Sequence, residues 1–412
     1  MGFSYIAVLG TSLIVGTMAL GGLSVLRIQS RASQDAIVAI RARQEGRTAA
    51  ELGRFILSND PNWRTTYDNN GNIFTNRSTG SGTISAVIGD PSDWDLGNHP
   101  HHPLRLQMTA SHGRAVQRFQ VDLAANPVAL DVLRHAVHCW VNLRVNSGAT
   151  LTAYGAPVGI NGSLTNDNVI DADVNSTAIS MQGTVTGIVT NAAPILNLPT
   201  ESVVTKYSGI GTQFTNRVNL IEKAVITPTR NSFAPLNASG VYIVRPTTNM
   251  TIRNTRIHGT LVVIMPNTGT VVTVGENVLI QPAVSGYPAL VVQGNLDLSY
   301  RSDGEVLSES VLATNFNPTG APYGGSADSD VADRYPSEIQ GLIYVTRQLR
   351  WYNNGLLRGG IFVEGQGITN GIEIYGTPRI LYDPYLFHTP APWLTKRLDM
   401  LPQLGTWKQI VQ

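Results

Sequence analysis

One cysteine, Cys139, is all that 412 residues contain. An intrachain disulfide and a cysteine-rich metal knuckle are both excluded. Between His138 and Trp140 the thiol reads most simply as a small buried residue, with a reactive nucleophile as the alternative. Charge is also scarce: Asp, Glu, Lys and Arg make up 14% of the chain, against roughly 25% in an average soluble domain. The net charge of +1 provides no field to steer a polyanion, so nucleic acid is not an expected partner. No phosphate-cradling loop, nucleophile elbow or metalloprotease helix motif is found. The sequence thus gives no catalytic residue, no metal-ligand set and no cofactor, and the expectation is a non-enzymatic protein.

What is abundant is apolar (42%) and glycine (40 residues). In the second half Asn, Thr, Val and Ile dominate, the composition of many short strands joined by turns. At this length two or three domains are expected.

From Gly2 to Leu26 no side chain is charged, and Arg27 is the first that is. As a helix this stretch spans roughly 35 Å, enough for a bilayer core of about 30 Å. A cleaved signal would show a basic start and a shorter apolar run. A lipid bilayer is therefore the first expected partner. Small residues recur in the run (Gly10, Gly16, Gly21, Gly22), which either favours close helix pairing or reflects how common glycine is in membrane helices. Helical spacing continues through Ile28, Ala32, Ala36, Ile40, Ala49 and Ile56 until Ser58-Asn59-Asp60-Pro61 supplies a stop. One helix of about 55 residues follows, apolar first and amphipathic after. Arg27, Arg31, Arg41, Arg43 and Arg47 follow the span, so charge alone would put the body in the cytoplasm.

Residues 61–140 read as a small α+β or β-sandwich module. A hairpin is expected around Asn69-Asn70-Gly71-Asn72, strands over 82–89, 104–109 and 115–123, and helical periodicity over 128–138. From 141 onward, Val/Ile/Leu/Thr segments are punctuated by Gly or Asn, as in MTIRNTRIHGTLVVIMP and TVVTVGENVLIQP. Repeated short strands of this kind fit a right-handed parallel β-helix or solenoid over 141–412, with a Greek-key sandwich as the alternative. Insertions are expected near 196–230 and 302–336, the latter as an exposed loop. The Pro- and Trp-rich C-terminus is expected to cap an open end. The fold class is mainly β with one long N-terminal helix.

Candidate chemistry is thin. Asn98-His99-Pro100-His101-His102-Pro103 clusters imidazoles, but prolines break any helical ligand face, which favours a turn. Asp90, Asp93 and Asp95 lack the central glycine of a calcium loop and fit turns better. Parallel β-helices also carry polysaccharide lyases, so Asp328, Asp330, Asp333 and Arg334 are the dense candidate set for catalysis. Trp351, Tyr352, Tyr375, Tyr382 and Tyr385 could form a carbohydrate platform, but packing explains them better.

The opening resembles type IV pilin-like proteins, including minor pilins and pseudopilins. The likeness rests on Gly2-Phe3 ahead of the uncharged run and on a single helix that is membrane-embedded and then amphipathic. It covers roughly the first 60 residues. The resemblance implies processing between Gly2 and Phe3, residence in the inner membrane, and a body on the periplasmic or extracellular side. It also implies partners among other pilin-like or envelope subunits. The fifth residue from Phe3 is Ala7, where major pilins carry glutamate, so the likeness is to a minor subunit; no basic leader precedes Gly2, which leaves processing open. The glycine-punctuated strands further on look like the β-helical bodies of some pilus-assembly and bactofilin-like proteins. The expected function is that of a pilin-like, single-pass structural subunit of a bacterial envelope assembly. The alternative is a tethered β-helix that binds, or less readily cleaves, polysaccharide.

Overall fold

The structure, a computed structural model, describes residues 2–60, 63–68, 71–96, 102–199 and 201–410. Two compact units result: Met1–Asn126 with Leu398–Gln412, and Pro127–Arg397.

The first unit starts with helix α1, Gly2–Asn59, 58 residues long. Gly2 and Phe3 lie in its first turn, and their side chains are outside those described. The second half of α1 packs on an antiparallel sheet of β1 (Asn72–Ser78), β2 (Gly82–Gly89), β3 (Leu104–His112) and β4 (Ala115–Ala129). β3 shows why: its residues alternate strictly between buried and half-buried, the period-2 signature of a sheet with one covered face. Leu104, Leu106, Met108 and Ala110 point inward with Ile84, Ile88, Phe119 and Val121, and Ala49, Ala50 and Leu57 of α1 join the same core. The returning chain adds strands Thr395–Pro402 and Lys408–Ile410 beside β4, with Met400 buried in this core and Trp407 against Phe119 at 5.7 Å. Ahead of the expected hairpin turn, where Trp63 to Tyr67 would be its first strand, Trp63–Thr66 is a helical turn with Trp63 buried. Asn69 and Asn70 lie outside the described residues.

The second unit is built on a sheet of 22 strands, nearly all paired in parallel and wound into a solenoid. One row of residues runs through successive coils in register: Ile221, Ile252, Val274, Leu298, Trp351, Ile374 and Val145. All are at most 1% exposed and belong to one core cluster. Each coil buries its inward residues on the next, so no single coil is stable alone. The neighbouring row points outward and alternates in sign: Asp297, Arg350, Glu373 and Arg144. Arg350 grips Asp297 with two hydrogen bonds of 2.7 and 2.9 Å. Opposite charges directly across a ladder favour the register, and a one-residue slip would set Arg350 opposite the inward Leu296 or Leu298.

The coils do not stack in chain order. The chain enters at Val137–Cys139 and Asn142–Val145, winds outward through Val158–Asn166 and Val174–Met181, and reaches Val189–Asn191 at one end. It then crosses to the other end, where Leu220–Glu222 pairs with Met250–His258, and winds back. The last coils, Leu356–Val363 and Asn370–Ile374, pair with the first ones, Val137–Cys139 and Asn142–Val145. The crossing segment carries Leu196, Leu198, Val203, Val204 and Tyr207 over a lateral cluster that includes Val241, Val262, Val291, Tyr344 and Phe362.

Three sequence expectations take a different form. Residues 128–138 give a single 3-10 turn, Asp131–Arg134, then a strand, Val137–Cys139; the apolar positions serve the lateral cluster and the solenoid, a use that helical spacing does not distinguish from a helix face. The 302–336 segment has its own core of Leu307, Phe316, Ala321 and Tyr335 against Val225 and Leu279, so it is a folded excursion. Trp393 packs edge-on against Tyr207 at 5.0 Å, in the lateral cluster, and the chain beyond it joins the first unit's sheet.

Candidate functional site

Helix α1 carries two kinds of surface. Val8, Leu9, Leu13, Ile14, Val15, Met18, Leu20, Leu23, Val25 and Leu26 are each at least 54% exposed. Consecutive pairs among them cover every side of the helix. Mean hydropathy reaches 1.7 over the most apolar window, none of which is buried. A helix that is apolar all round belongs in a membrane or among other helices. Gly10, Gly16, Gly21 and Gly22 have open space where a side chain would stand, leaving grooves in that surface.

After Arg27 the helix changes character. Ala42, Gly46, Ala49, Ala50, Gly53 and Leu57 are buried at three- and four-residue spacing, while Arg41, Arg43, Arg47 and Glu51 are exposed. Gly46 allows the closest approach: a methyl there would lie 2.3 Å from the Phe119 ring. Gln117 donates to the Ala39 carbonyl at 3.2 Å, and Arg54 reaches the Met400 carbonyl at 3.4 Å. The span and the docked half are one uninterrupted helix, so the apolar half is held by the first unit's fold without being covered by it.

The chain has a distant likeness to a solved pilin. It is similar to the competence-associated pilin ComZ from Thermus thermophilus at 11% identity and a TM-score of 0.27, over 91% of this chain and 97% of the other. No protein-family model matches the chain, and no curated protein does.

In the second unit the sequence-derived candidates disperse. Cys139 is fully buried, and its thiol donates to the Asn142 carbonyl at 3.3 Å. Burial pushes that thiol up to about 12, which keeps it protonated and unreactive at neutral pH. Trp351 lies inside the solenoid. Tyr352 and Tyr375 sit on neighbouring coils with rings 5.2 Å apart and 8° from parallel. Each therefore occupies a face of the other that a sugar would need. Tyr382 donates to the Leu133 carbonyl at 2.5 Å. Tyr385 begins a short helix and is 43% exposed.

In the first unit, His99, Pro100 and His101 lie outside the described residues, while His102 meets the buried Asp90 carboxylate at 3.1 Å. Asp90 and Asp93 accept from the backbone two residues on, at Ser92 and Asp95, which is turn chemistry.

The acidic set divides. Asp330 is exposed and closes a turn onto the Ala332 N–H at 2.9 Å, and Arg334 is exposed. Asp328 and Asp333 instead converge with Glu309, whose carboxylate lies within 4.8 Å of both. Glu309 was not legible as a partner, because the excursion's folding is what joins it to residues about twenty positions on.

A second feature was also missed. An open cleft of about 570 Å³ is lined by Trp140, Val141, Leu198, Glu364, Gln366 and Thr369. It adjoins another of about 320 Å³ through Leu198, Glu364 and Gln366. Burial raises the Glu364 carboxyl against the lowering effect of the Gln366 hydrogen bond, and Tyr344 also donates to it. Trp140 and Gln366 come from loops on coils that only the solenoid's seam brings together.

Proposed function

We propose that this protein is a pilin-like, single-pass subunit of a bacterial envelope assembly, structural and not enzymatic. In this reading the apolar half of α1 rests in the inner membrane, or packs with other subunits' helices in a filament. The body is then on the periplasmic or extracellular side, and Gly2-Phe3 is the processing site. The observation that carries the reading is the exposed, uncharged half of α1 continuing without a break into a half docked on an antiparallel sheet. A bare signal sequence has no reason to be one helix with a domain's core element. The non-enzymatic part is supported by Asp330 and Arg334 standing apart from Asp328 and Asp333.

Fractionation of cells expressing the full chain tests the anchor. The full chain is expected in the membrane fraction and a chain starting at Arg27 in the soluble one; a full chain that is soluble and monomeric without detergent would overturn it. N-terminal sequencing of membrane-derived protein tests processing, with Phe3 expected first. Protease protection in spheroplasts tests sidedness.

The cleft beside Trp140 favours a second reading, in which the same anchor displays a polysaccharide-binding solenoid. An aromatic ring beside amide and carboxyl groups is a sugar-binding combination. Absence of binding across acidic and neutral glycans would remove it.

A further inference from the structure

We propose that the open end of the solenoid, the outermost coil over 174–191, is an interface that pairs with the same end of a second copy of this chain. Three inward rows run out there. Val137, Val158 and Val174 lead to Val189, Leu143 and Leu164 lead to Ile179, and Leu151 and Ile170 lead to Val185. The inner members of each row are at most 1% exposed, whereas Val189 is 37% exposed and Ile179 and Val185 are half-buried. Nothing is stacked beyond them. Among the described ladders Val189–Asn191 pairs with 174–176 alone, 178–181 with 163–166 alone, and Thr184–Val185 with 169–170 alone. Met181 and Ile188 add exposed apolar side chains to the same coil. A coil's inward residues are stabilised by the coil laid on them, and this one has none.

The opposite end shows how this chain finishes a coil. Ile221 and Ile226 begin rows there, in strands that pair with Met250–His258 alone, yet both are fully buried. The buried Phe214 belongs to the same core and stacks on Phe233 at 5.1 Å, and Phe233 and Ala234 pack against that core. One end is thus closed by the chain's own aromatic rings, and the other is left for an outside partner. Charge points to a second copy as that partner. Residues 174–200 contain no Asp, Glu, Lys or Arg, although 14% of the whole chain is charged, and 174–191 contain no proline. Charge and proline are the usual guards of an exposed strand edge, and this edge has neither. In a two-fold contact each group near the axis meets its own copy, so a charge there would meet like charge. An edge without charge can face itself. The closed opposite end prevents head-to-tail stacking, so association stops at two chains. Pairing would bury Val189, Ile179 and Val185 and give the open backbone edges partners.

Because Cys139 is the only cysteine and is buried, introduced thiols report their own position. The full chain in detergent, with micelles in excess over chains, carries Thr190→Cys at the open end or Ser232→Cys beside Phe233 at the closed end. Both positions are exposed. Each variant is treated with a short bis-maleimide over a range of protein concentrations. Thr190→Cys is expected to link into dimers and no further, with a yield that rises with concentration, while Ser232→Cys stays unlinked. Ile188 is 73% exposed, so a lysine there leaves the packing intact. Ile188→Lys in the Thr190→Cys chain is expected to weaken association about tenfold or more by setting like charges together, and Met181→Lys to do the same. A Thr190→Cys chain that stays monomeric would overturn the pairing, as would cross-linked species larger than dimers. Equal linking at both thiols would assign association to helix α1 and overturn it as well. So would unchanged linking in both lysine variants. If those variants do not fold, the contrast between the two thiols decides.

Discussion

Single residues show where close packing leaves no slack. Gly46 lets α1 lie directly on the Phe119 ring, which is itself backed by Trp407. Gly46→Leu is expected to destabilise the first unit by about 1–3 kcal/mol, the range for overpacking a filled core, as read by chemical denaturation in detergent. His138 is a different kind of residue. It is 1% exposed, stacked on Phe362 at 5.6 Å, and neither ring nitrogen has a partner. Burial, helped by the neighbouring His135, drives it from 6.5 down to about 3; burial lowers His135 as well. Because the folded value lies below the unfolded one, the unfolded chain binds more protons as pH falls through 6.5. Stability is thus expected to fall between about pH 6.5 and 3, by up to about 1.4 kcal/mol per pH unit from His138. Melting of wild type and His138→Leu across that interval checks it, and equal slopes would refute the assignment. Cys139 was readable as a buried thiol because a lone cysteine with no partner packs as a small apolar residue. Nothing in the sequence signalled His138, whose isolation arises from strands far apart in the chain.

Elements were legible where local pattern and tertiary use agree. α1 was readable almost to its ends, because an uncharged run and a following 3.6-residue spacing each dictate helix, and Ser58-Asn59-Asp60-Pro61 stops it. The solenoid's strands were readable as strands from their Gly and Asn punctuation. The 128–138 segment was misleading because apolar residues there serve two neighbouring cores, and 302–336 because it gives only Leu307, Phe316, Ala321 and Tyr335 to its core, which leaves its sequence mostly polar. The open grooves at Gly10 and Gly21, eleven residues apart and so on one face of the helix, bear on what α1 does in lipid. If helices pair across that small-residue surface, Gly10→Leu with Gly21→Leu is expected to weaken self-association about tenfold, roughly 1.4 kcal/mol. Cross-linking yield of the full chain in bicelles measures it; an unchanged yield would place the contact on another face of the helix.

At the scale of the molecule the order of coils matters more than their number. In a solenoid that stacks in chain order, losing the C-terminal coils removes only an end. Here the last coils, Leu356–Val363 and Asn370–Ile374, lie between the first ones and those from the middle of the sequence. Without them the 137–191 coils have no contact through the ladder with the 212–300 coils. The seam is specified on both of its faces: Ile374 opposite Val145 inside, and Glu373 opposite Arg144 outside. Just beyond, the same C-terminal stretch supplies Met400 to the first unit's core and sets the exposed Trp407 against Phe119. A chain ending at Ser337 is therefore expected to lose amide protection over 137–154 and also over β3 and β4, although it retains every residue of those segments. Hydrogen exchange with segment-level readout tests this, with excision of the terminal strands Val174–Asn191, rejoined by a short linker, as the comparison. That excision is expected to leave 137–154 and β3 protected, since it removes only an outer coil. Should the truncated chain keep its protection in those segments, the coils would be stable without the seam, and the late-returning strands would serve only to extend the stack.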